Sequence, residues 1–552
     1  MMNSRRHLAL VIAGCVAFAL LFSAAPRASL TSAAPAGVYD VRTYGAKGDG
    51  KALDTVAINK TIDAAAAAGG GTVYFPAGNY LSVSIHLKSN IALYLDQGAT
   101  IVAASPSKEA QYDPPEPNQW EAYQDFGHSH WHNSLIWGEN LTNVSILGLG
   151  MIWGKGLVRT GNQSRTQAQN DALNANRANE PKTLFGYPNP RDAVEPGWGN
   201  KSIALKNSRN VLIRDITIFH GGHFAILATG VDNLTIDNIK IDTNRDGIDV
   251  DACKNVRISN CTVNSPFDDG ICPKSSFALG YARATENVTI TNCQVSGYDE
   301  GTLLDGTYKR DFRNQNGTFS PTGRIKFGTE SNGGFKNITI TNCVFDYCRG
   351  LALESVDGAL LEDVTISNIT MRDISNSPFF LRLGRRMRGP QGPTVGALRR
   401  VIISNIIVFN AEPKYASIIS GIPGHDIEDV ALSNIRIYYK GGGTKEQAAL
   451  QPPEKETDYP EPTMFGEMPA YGFFIRHVRG LQMSDMNLRL LKEDARAPYV
   501  ISDAKSIDFN HLQMDRAASV PSFILNDVED FSLRQSYPLQ DVRLPKVKTS
   551  KF

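Results

Sequence analysis

Three aspartates fall at matching points of two successive repeats in this sequence. Asp246 lies in Asn244-Arg245-Asp246-Gly247-Ile248-Asp249-Val250-Asp251, and Asp268 and Asp269 lie in Pro266-Phe267-Asp268-Asp269-Gly270-Ile271. Crowded carboxylates cannot all ionise easily, so one keeps its proton while a neighbour stays charged. The first can give a proton to a leaving oxygen and the second can take one from water. Hydrolysis of a glycosidic bond needs that pair of roles, with room for the water between them.

The elements that must position these acids repeat along the chain. Asn210-Val211-Leu212-Ile213, Asn233-Leu234-Thr235-Ile236, Asn255-Val256-Arg257-Ile258, Asn287-Val288-Thr289-Ile290 and Asn337-Ile338-Thr339-Ile340 share one pattern. Degenerate copies follow at Asp363, Arg400, Asp429 and Gly480. Each copy alternates apolar and polar residues, as a strand with one buried face does. A unit of about 22 residues cannot bury its own apolar face, so the copies must stack. Asparagines recur near the end of each copy, at Asn238, Asn260, Asn292, Asn342, Asn368, Asn405 and Asn434. They predict a corner ladder, because asparagine tolerates the left-handed backbone and its amide can bond to the next coil. A leucine-rich horseshoe would need helices between the strands, and the sequence offers none. The predicted fold is all-β: a right-handed parallel β-helix with an N-terminal helix-containing cap.

A second strand follows each copy, and alternation tells which of its residues face outward. Asp249 and Asp251, Cys272 and Lys274, Arg324 and Lys326, Ala352 and Glu354, and Arg382 are predicted on the outer face. Stacked strands lie about 4.8 Å apart. Acids for cleavage therefore stand beside cations suited to an anionic ligand. Asp249, Lys274, Arg324, Lys326, Glu354 and Arg382 become candidate substrate-binding residues, with Asp246, Asp268 and Asp269 as the catalytic set.

The two aspartate motifs resemble the Asn-Thr-Asp-Gly and Asp-Asp motifs of the polygalacturonase-like family, glycoside hydrolase family 28. The opening from Val38-Tyr39-Asp40 through Thr72-Val73-Tyr74-Phe75-Pro76-Ala77-Gly78 resembles the N-terminal module of pectate-lyase-like β-helix proteins. The resemblance implies a secreted, metal-free, inverting hydrolase acting on galacturonic-acid-containing pectin. It implies that Asp268 is the general acid, and that Asp246 and Asp269 hold and deprotonate the attacking water. The family's Gly-His-Gly motif is absent: Thr322 stands where its histidine is expected. Its Arg-Ile-Lys motif falls on Ala352-Leu353-Glu354, while Arg324-Ile325-Lys326 has those letters one coil earlier. The expectation is a displaced cationic subsite. Glu354 in place of a lysine points to a neutral or differently placed sugar.

The remaining features bound the reading. Arg5-Arg6 and the apolar run Leu8 to Phe22 predict a signal peptide over residues 1–28 and export to the periplasm or medium, with lipid anchoring at Cys15 as a minor route. A capping module over 38–105, an irregular insertion over 106–199 and a β-helix over 200–545 follow. The chain has 56 basic and 56 acidic residues, which argues against a nucleic-acid partner. After signal removal no membrane contact is expected, nor any cofactor or metal, and the protein is expected to act as a monomer on a pectic chain. The cysteines after Cys15 have no zinc spacing, and Cys261, Cys293 and Cys343, each in an Asn-Cys pair at the same point of a repeat, read as stacked core residues. His128, His130 and His132 read as surface or substrate-contact histidines. The loops Tyr308 to Ser320 and Lys440 to Pro462 are expected to close the ends of a groove. Two other readings fit the same scaffold: a calcium-dependent lyase or epimerase with Asp249, Asp251 and Asp269 as ligands and Arg324 as base, and a non-catalytic carbohydrate-binding β-helix.

Overall fold

Each asparagine-led repeat forms a strand, and the strands stack in parallel with inward residues in register. In a computed structural model, Arg209–Arg214, Asp232–Asp237, Lys254–Ser259, Thr285–Thr291 and Phe335–Thr341 follow one another up the column. Val211 pairs with Leu234, Leu234 with Val256, Val256 with Val288, and Val288 with Ile338. All five are buried in one continuous core. Burying a side chain of this size contributes about 1.5–3 kcal/mol before entropy is subtracted, and only stacking makes that burial possible. The structure describes residues 37–124, 127–158, 197–311, 320–390, 392 and 394–552, together with the strands Thr183–Leu184 and Tyr187–Pro188. The expected export segment and the polar run from Thr160 to Ala178 lie outside them.

Two further strands complete a coil. Thr217–Phe219, Lys240–Asp242, Thr262–Asn264 and Gln294–Ser296 make a short second side. The third side carries the acids. It runs through Ile136–Glu139, Lys201–Lys206, Phe224–Thr229, Asp246–Asp251 and Ile271–Lys274 in parallel register. A bridge from Ile271 to Ile325 continues it to Lys326–Phe327, Leu351–Ser355, Phe379–Leu383 and Ser417–Ser420.

The corner ladder is present and there are two of them. Asn292 bonds to Asn260, Asn342 to Asn292, Asn368 to Asn342, Asn405 to Asn368 and Asn434 to Asn405, at 2.9–3.3 Å. At the start of the repeat a second ladder links Asn90, Asn143, Asn210, Asn233, Asn255, Asn287 and Asn337. These asparagines sit at positive φ, from 50° to 64°.

The column begins earlier than the repeat motif. Gly71–Phe75, Ile91–Leu95 and Thr142–Leu147 stack beneath Arg209–Arg214 in the same parallel manner. The helix Thr55–Ala67 lays Ile58, Ile62 and Ala65 over the first coil. Asp54 occupies its N-cap position but does not cap it. Its carboxylate instead accepts the amides of Lys47 and Gly48, at 2.7 and 3.0 Å, and so fixes the preceding turn. At the other end Val542–Lys551 pairs antiparallel with Phe523–Arg534 and covers an edge that would otherwise recruit another chain.

The loop from Lys440 onward lies on the outer face of the later coils. A second apolar cluster there buries Ala352, Phe380, Ile418, Phe465, Met468 and Phe474. Among the described residues six cysteines are buried and free, Cys253, Cys261, Cys272, Cys293, Cys343 and Cys348, and Cys261, Cys293 and Cys343 lie in the core as expected. Among the described residues no helix is long and apolar enough to cross a membrane.

Candidate active site

The glycines after the acids let the coils approach. A Cβ on Gly247 would stand 2.4 Å from the Gly270 carbonyl, and one on Gly270 would stand 3.1 Å from the Gly323 carbonyl. Asp246 and Asp269 are thereby brought to one edge of adjacent coils. The Asp269 amide donates to Asp246 Oδ1 at 3.2 Å and to Asp268 Oδ1 at 3.1 Å. One carboxylate oxygen from each of Asp246, Asp268 and Asp269 lies within 4.8 Å of the others. The sequence-predicted trio therefore assembles.

Their surroundings differ sharply. Asp246 is buried, and burial, Asp249 and Asp268 together push its carboxyl well above the usual carboxylate range. Asp269 is buried too, and burial alone would raise it. Lys326, Arg324 and Lys274 overcome that cost and hold it well below the usual range. Arg324 Nε donates to Asp269 Oδ1 at 2.9 Å, and Lys326 Nζ lies 3.3 Å from Oδ2. Asp268 is the most open of the three, with a quarter of its side chain exposed (25%), and Arg245 reaches it at 2.6 Å. Arg245 is itself positioned by His223, at 3.2 Å from Nε2. One protonated and one charged carboxyl within a few ångströms is what acid–base chemistry requires.

The predicted ligand residues are on the predicted face, but they are not open to a ligand. Asp249 is fully buried, 3.4 Å from His128 Nε2 and 3.7 Å from Lys274 Nζ, and neither of its oxygens has a hydrogen bond. Lys274 is buried between Asp249 and Glu330, 3.6 Å from the latter. Arg324 and Lys326 are sealed beneath residues of the Lys440-to-Pro462 loop. Arg324 is paired with Asp269 and Glu461, and Lys326 donates to the Tyr459 hydroxyl at 3.4 Å. Glu354 is fully buried beside both cations, and its oxygens accept no hydrogen bond. Burial pushes its carboxyl up to about 8, against the pull of Lys326 and Arg324 and with help from Glu461 and Asp269.

Arg382 is a structural clamp rather than a ligand. It donates to Ser420 Oγ and to the carbonyls of Gly421, Glu454 and Lys455 at 2.8–3.0 Å, and its guanidinium lies over Phe465. Asp251 is likewise taken, accepting the amide of Ser276 at 2.7 Å and its hydroxyl. His128 and His130 are buried, so the surface reading of the histidine cluster fails. The segment folds inward against Phe224 and Asp249.

Sequence reasoning missed Glu461, Tyr459 and Glu330 as members of this site. They come from distant loops and carry no periodic signal. His128 had a signal, the dense histidine cluster, but nothing in the sequence placed it above Asp249.

Among the described residues two sets of side chains have the spacing to hold a cation: His128, Asp246 and Asp249, and Asp246, Asp268 and Asp269. In both, protein ammonium and guanidinium groups already balance the acids, Lys274 in the first and Arg245, Arg324 and Lys326 in the second. The calcium trio foreseen in the sequence does not fit: Asp251 is committed to Ser276, and Asp269 to its two cations. Arg324, engaged by two carboxylates, is also a poor base.

A family model described as "Rhamnogalacturonase A/epimerase, pectate lyase-like" matches residues 38–228, and one for the "right handed beta helix region" matches residues 193–279. Over these residues the chain is similar to pectate-lyase-like right-handed β-helix proteins. Among sequence relatives of this β-helix protein, a "probable polygalacturonase" of Vitis vinifera is 27% identical over 259 residues, 45% of this chain and 47% of that protein. An "exo-poly-alpha-D-galacturonosidase" of Dickeya chrysanthemi is 27% identical over 265 residues, 44% of this chain and 42% of that protein. The match spans less than half the length of each of these relatives. The family 28 exopolygalacturonase of Yersinia enterocolitica shares the fold, with a TM-score of 0.59, 18% identity, and 85% of this chain and 78% of that one covered.

Proposed function

We propose that this β-helix protein is an exported glycoside hydrolase of pectic polysaccharides. The observation that carries the reading is the meeting of Asp246, Asp268 and Asp269 within 4.8 Å across one pair of coils, with burial raising the Asp246 carboxyl, Lys326 and Arg324 lowering that of Asp269, and Asp268 more open. Asp268 alone of the three has room to meet a glycosidic oxygen, so it is assigned as proton donor. Asp269, held charged by Lys326 and Arg324, is assigned to the attacking water. The likeness to polygalacturonases supports the substrate class.

The reaction is assigned as inverting. Inverting enzymes separate acid and base by about 6.5–9.5 Å, whereas direct attack uses about 5–5.5 Å. The nearest oxygens here lie within 4.8 Å, closer than that span, and the inverting assignment rests on the likeness of the two aspartate motifs to glycoside hydrolase family 28. Proton NMR of the first-formed product tests this: the reducing sugar should appear in the anomeric form opposite to the bond cleaved. Retention would replace the water-activating role of Asp269 with a nucleophilic one. Failure to release reducing sugar from pectin, homogalacturonan and rhamnogalacturonan would end the hydrolase reading.

A further inference from the structure

The cations that should greet a uronate carboxylate already hold carboxylates of the protein itself. Glu461, on the loop that crosses the outer face, pairs with Arg324 through one oxygen and lies 3.1 Å from Arg349 through the other. Asp269 takes the remaining side of Arg324 and also Lys326. Lys274 lies between Asp249 and Glu330. Arg386 and Arg388, the next cations along, pair with Asp357 and Glu330. Arg324 and Lys326 are 1% and 2% exposed, so neither offers a free edge to a ligand. A further carboxylate placed here could not reach either buried cation and would meet the Glu461 carboxylate that covers them.

The loop presents something else at this place. Tyr459 is 47% exposed, and its hydroxyl is tethered by Thr329 Oγ1 at 2.8 Å and by Lys326 Nζ at 3.4 Å. Lys326 Nζ and Arg386 Cζ lie 5.5 and 5.9 Å from its ring centroid and help to fix it, and the part of the ring left exposed can pack against the C–H face of a sugar, a contact that asks for no charge.

Building on the hydrolase reading, we propose that the sugar seated against Tyr459 beside the acids is uncharged, and that Glu461 is the residue excluding a uronate there. The favoured substrate is then a pectic chain with a neutral sugar at that position, or one whose uronate is esterified. A run of free uronates is disfavoured.

The test compares the full-length protein on de-esterified polygalacturonate, on fully methyl-esterified homogalacturonan and on an alternating rhamnose–galacturonate backbone. The expected kcat/KM is about tenfold or more lower on the free polyuronate than on the better of the other two. Glu461→Gln should narrow that ratio by gaining on polygalacturonate. A polyuronate cleaved as well as the neutral-bearing chains, or a ratio unmoved in a folded Glu461→Gln protein, would overturn the proposal while leaving the hydrolase reading intact. A binding arm needs no cleavage and no change at Glu461. Calorimetry with Asp268→Asn should give weaker affinity for trigalacturonate than for its trimethyl ester. Equal or tighter binding of the free acid, or no binding of either, also overturns it. Loss of all hydrolysis in the wild type with the ester still preferred would instead sink the hydrolase reading alone.

Discussion

The amide of Asp269 donates to the carboxylate of Asp246 at 3.2 Å, so the acids of two coils are tied through main chain rather than through mobile side chains. Their separation is set by coil stacking. Asp268→Asn and Asp269→Asn should each lower kcat by about 10²–10⁴; thermal unfolding should stay close to wild type for the more open Asp268 and fall for Asp269, whose charge balances the buried Arg324 and Lys326. Initial rates on the best pectic substrate, with a melting curve for each variant, check this. Full activity in Asp268→Asn would remove it as the proton donor.

Lys326 sets the protonation of Asp269. Its ammonium is first among the charges that draw that carboxyl down against the cost of burial. A depressed carboxyl is charged down to low pH, so wild-type activity should persist on the acid side. In Lys326→Met one cation is lost and the Asp269 carboxyl must rise. The acid limb of the kcat/KM profile should then move to higher pH, by about one pH unit. An unmoved acid limb with intact folding would mean that Asp269 is not the group read by that limb.

Much of this was legible in the sequence, and what was not has a common cause. The period-two pattern placed Ile248, Val250, Ile271 and Leu353 in the core and Asp249, Lys274, Lys326 and Glu354 outward, because a strand admits only two faces. The aspartate motifs gave the edge at which the acids meet. Alternation says nothing, however, about what lies over the outer face. His128 and Tyr459 reach the site from loops without periodicity, and they turned an expected open face into a covered one. Arg382 shows the same limit: its outward direction was right, but the Glu454 and Lys455 carbonyls that it holds belong to that covering loop.

Glu354 links pH to stability at the covered face. Its ordinary value is 4.5, and in the fold it is pushed up to about 8. A raised carboxyl binds its proton more tightly folded than unfolded. Its contribution is therefore fully present below about 4.5 and is lost as pH rises through about 8. Glu354→Gln keeps the shape of the neutral form and cannot ionise. The melting temperature of the variant should gain on wild type as pH rises from 5 to 8, by an amount equivalent to a few kcal/mol at most, since each tenfold change in proton affinity is about 1.4 kcal/mol. Parallel melting curves over that range check it. A constant difference would mean that Glu354 titrates as an ordinary carboxyl.

The asparagine ladders separate backbone strain from side-chain bonding. Asn255 sits at φ 56°, donates to Asn233 at 3.2 Å and accepts from Asn287 at 3.0 Å. Asn255→Gly loses both bonds but keeps a residue at ease in the left-handed region. Asn255→Ala loses the same bonds and adds the steric cost of a Cβ there, about 1–2 kcal/mol. Exposed amide bonds of this kind contribute about 0.5–1.5 kcal/mol each at most. Stability should therefore fall in the order Asn, Gly, Ala, with glycine down by about 1 kcal/mol and alanine by about 2–3 kcal/mol. A stacked column can open locally, so the readout is hydrogen exchange at Asn233, Asn255 and Asn287 alongside a denaturant curve. Equal losses for glycine and alanine would show that the corner is not strained. No loss for either would show that the ladder records the coil geometry without holding it.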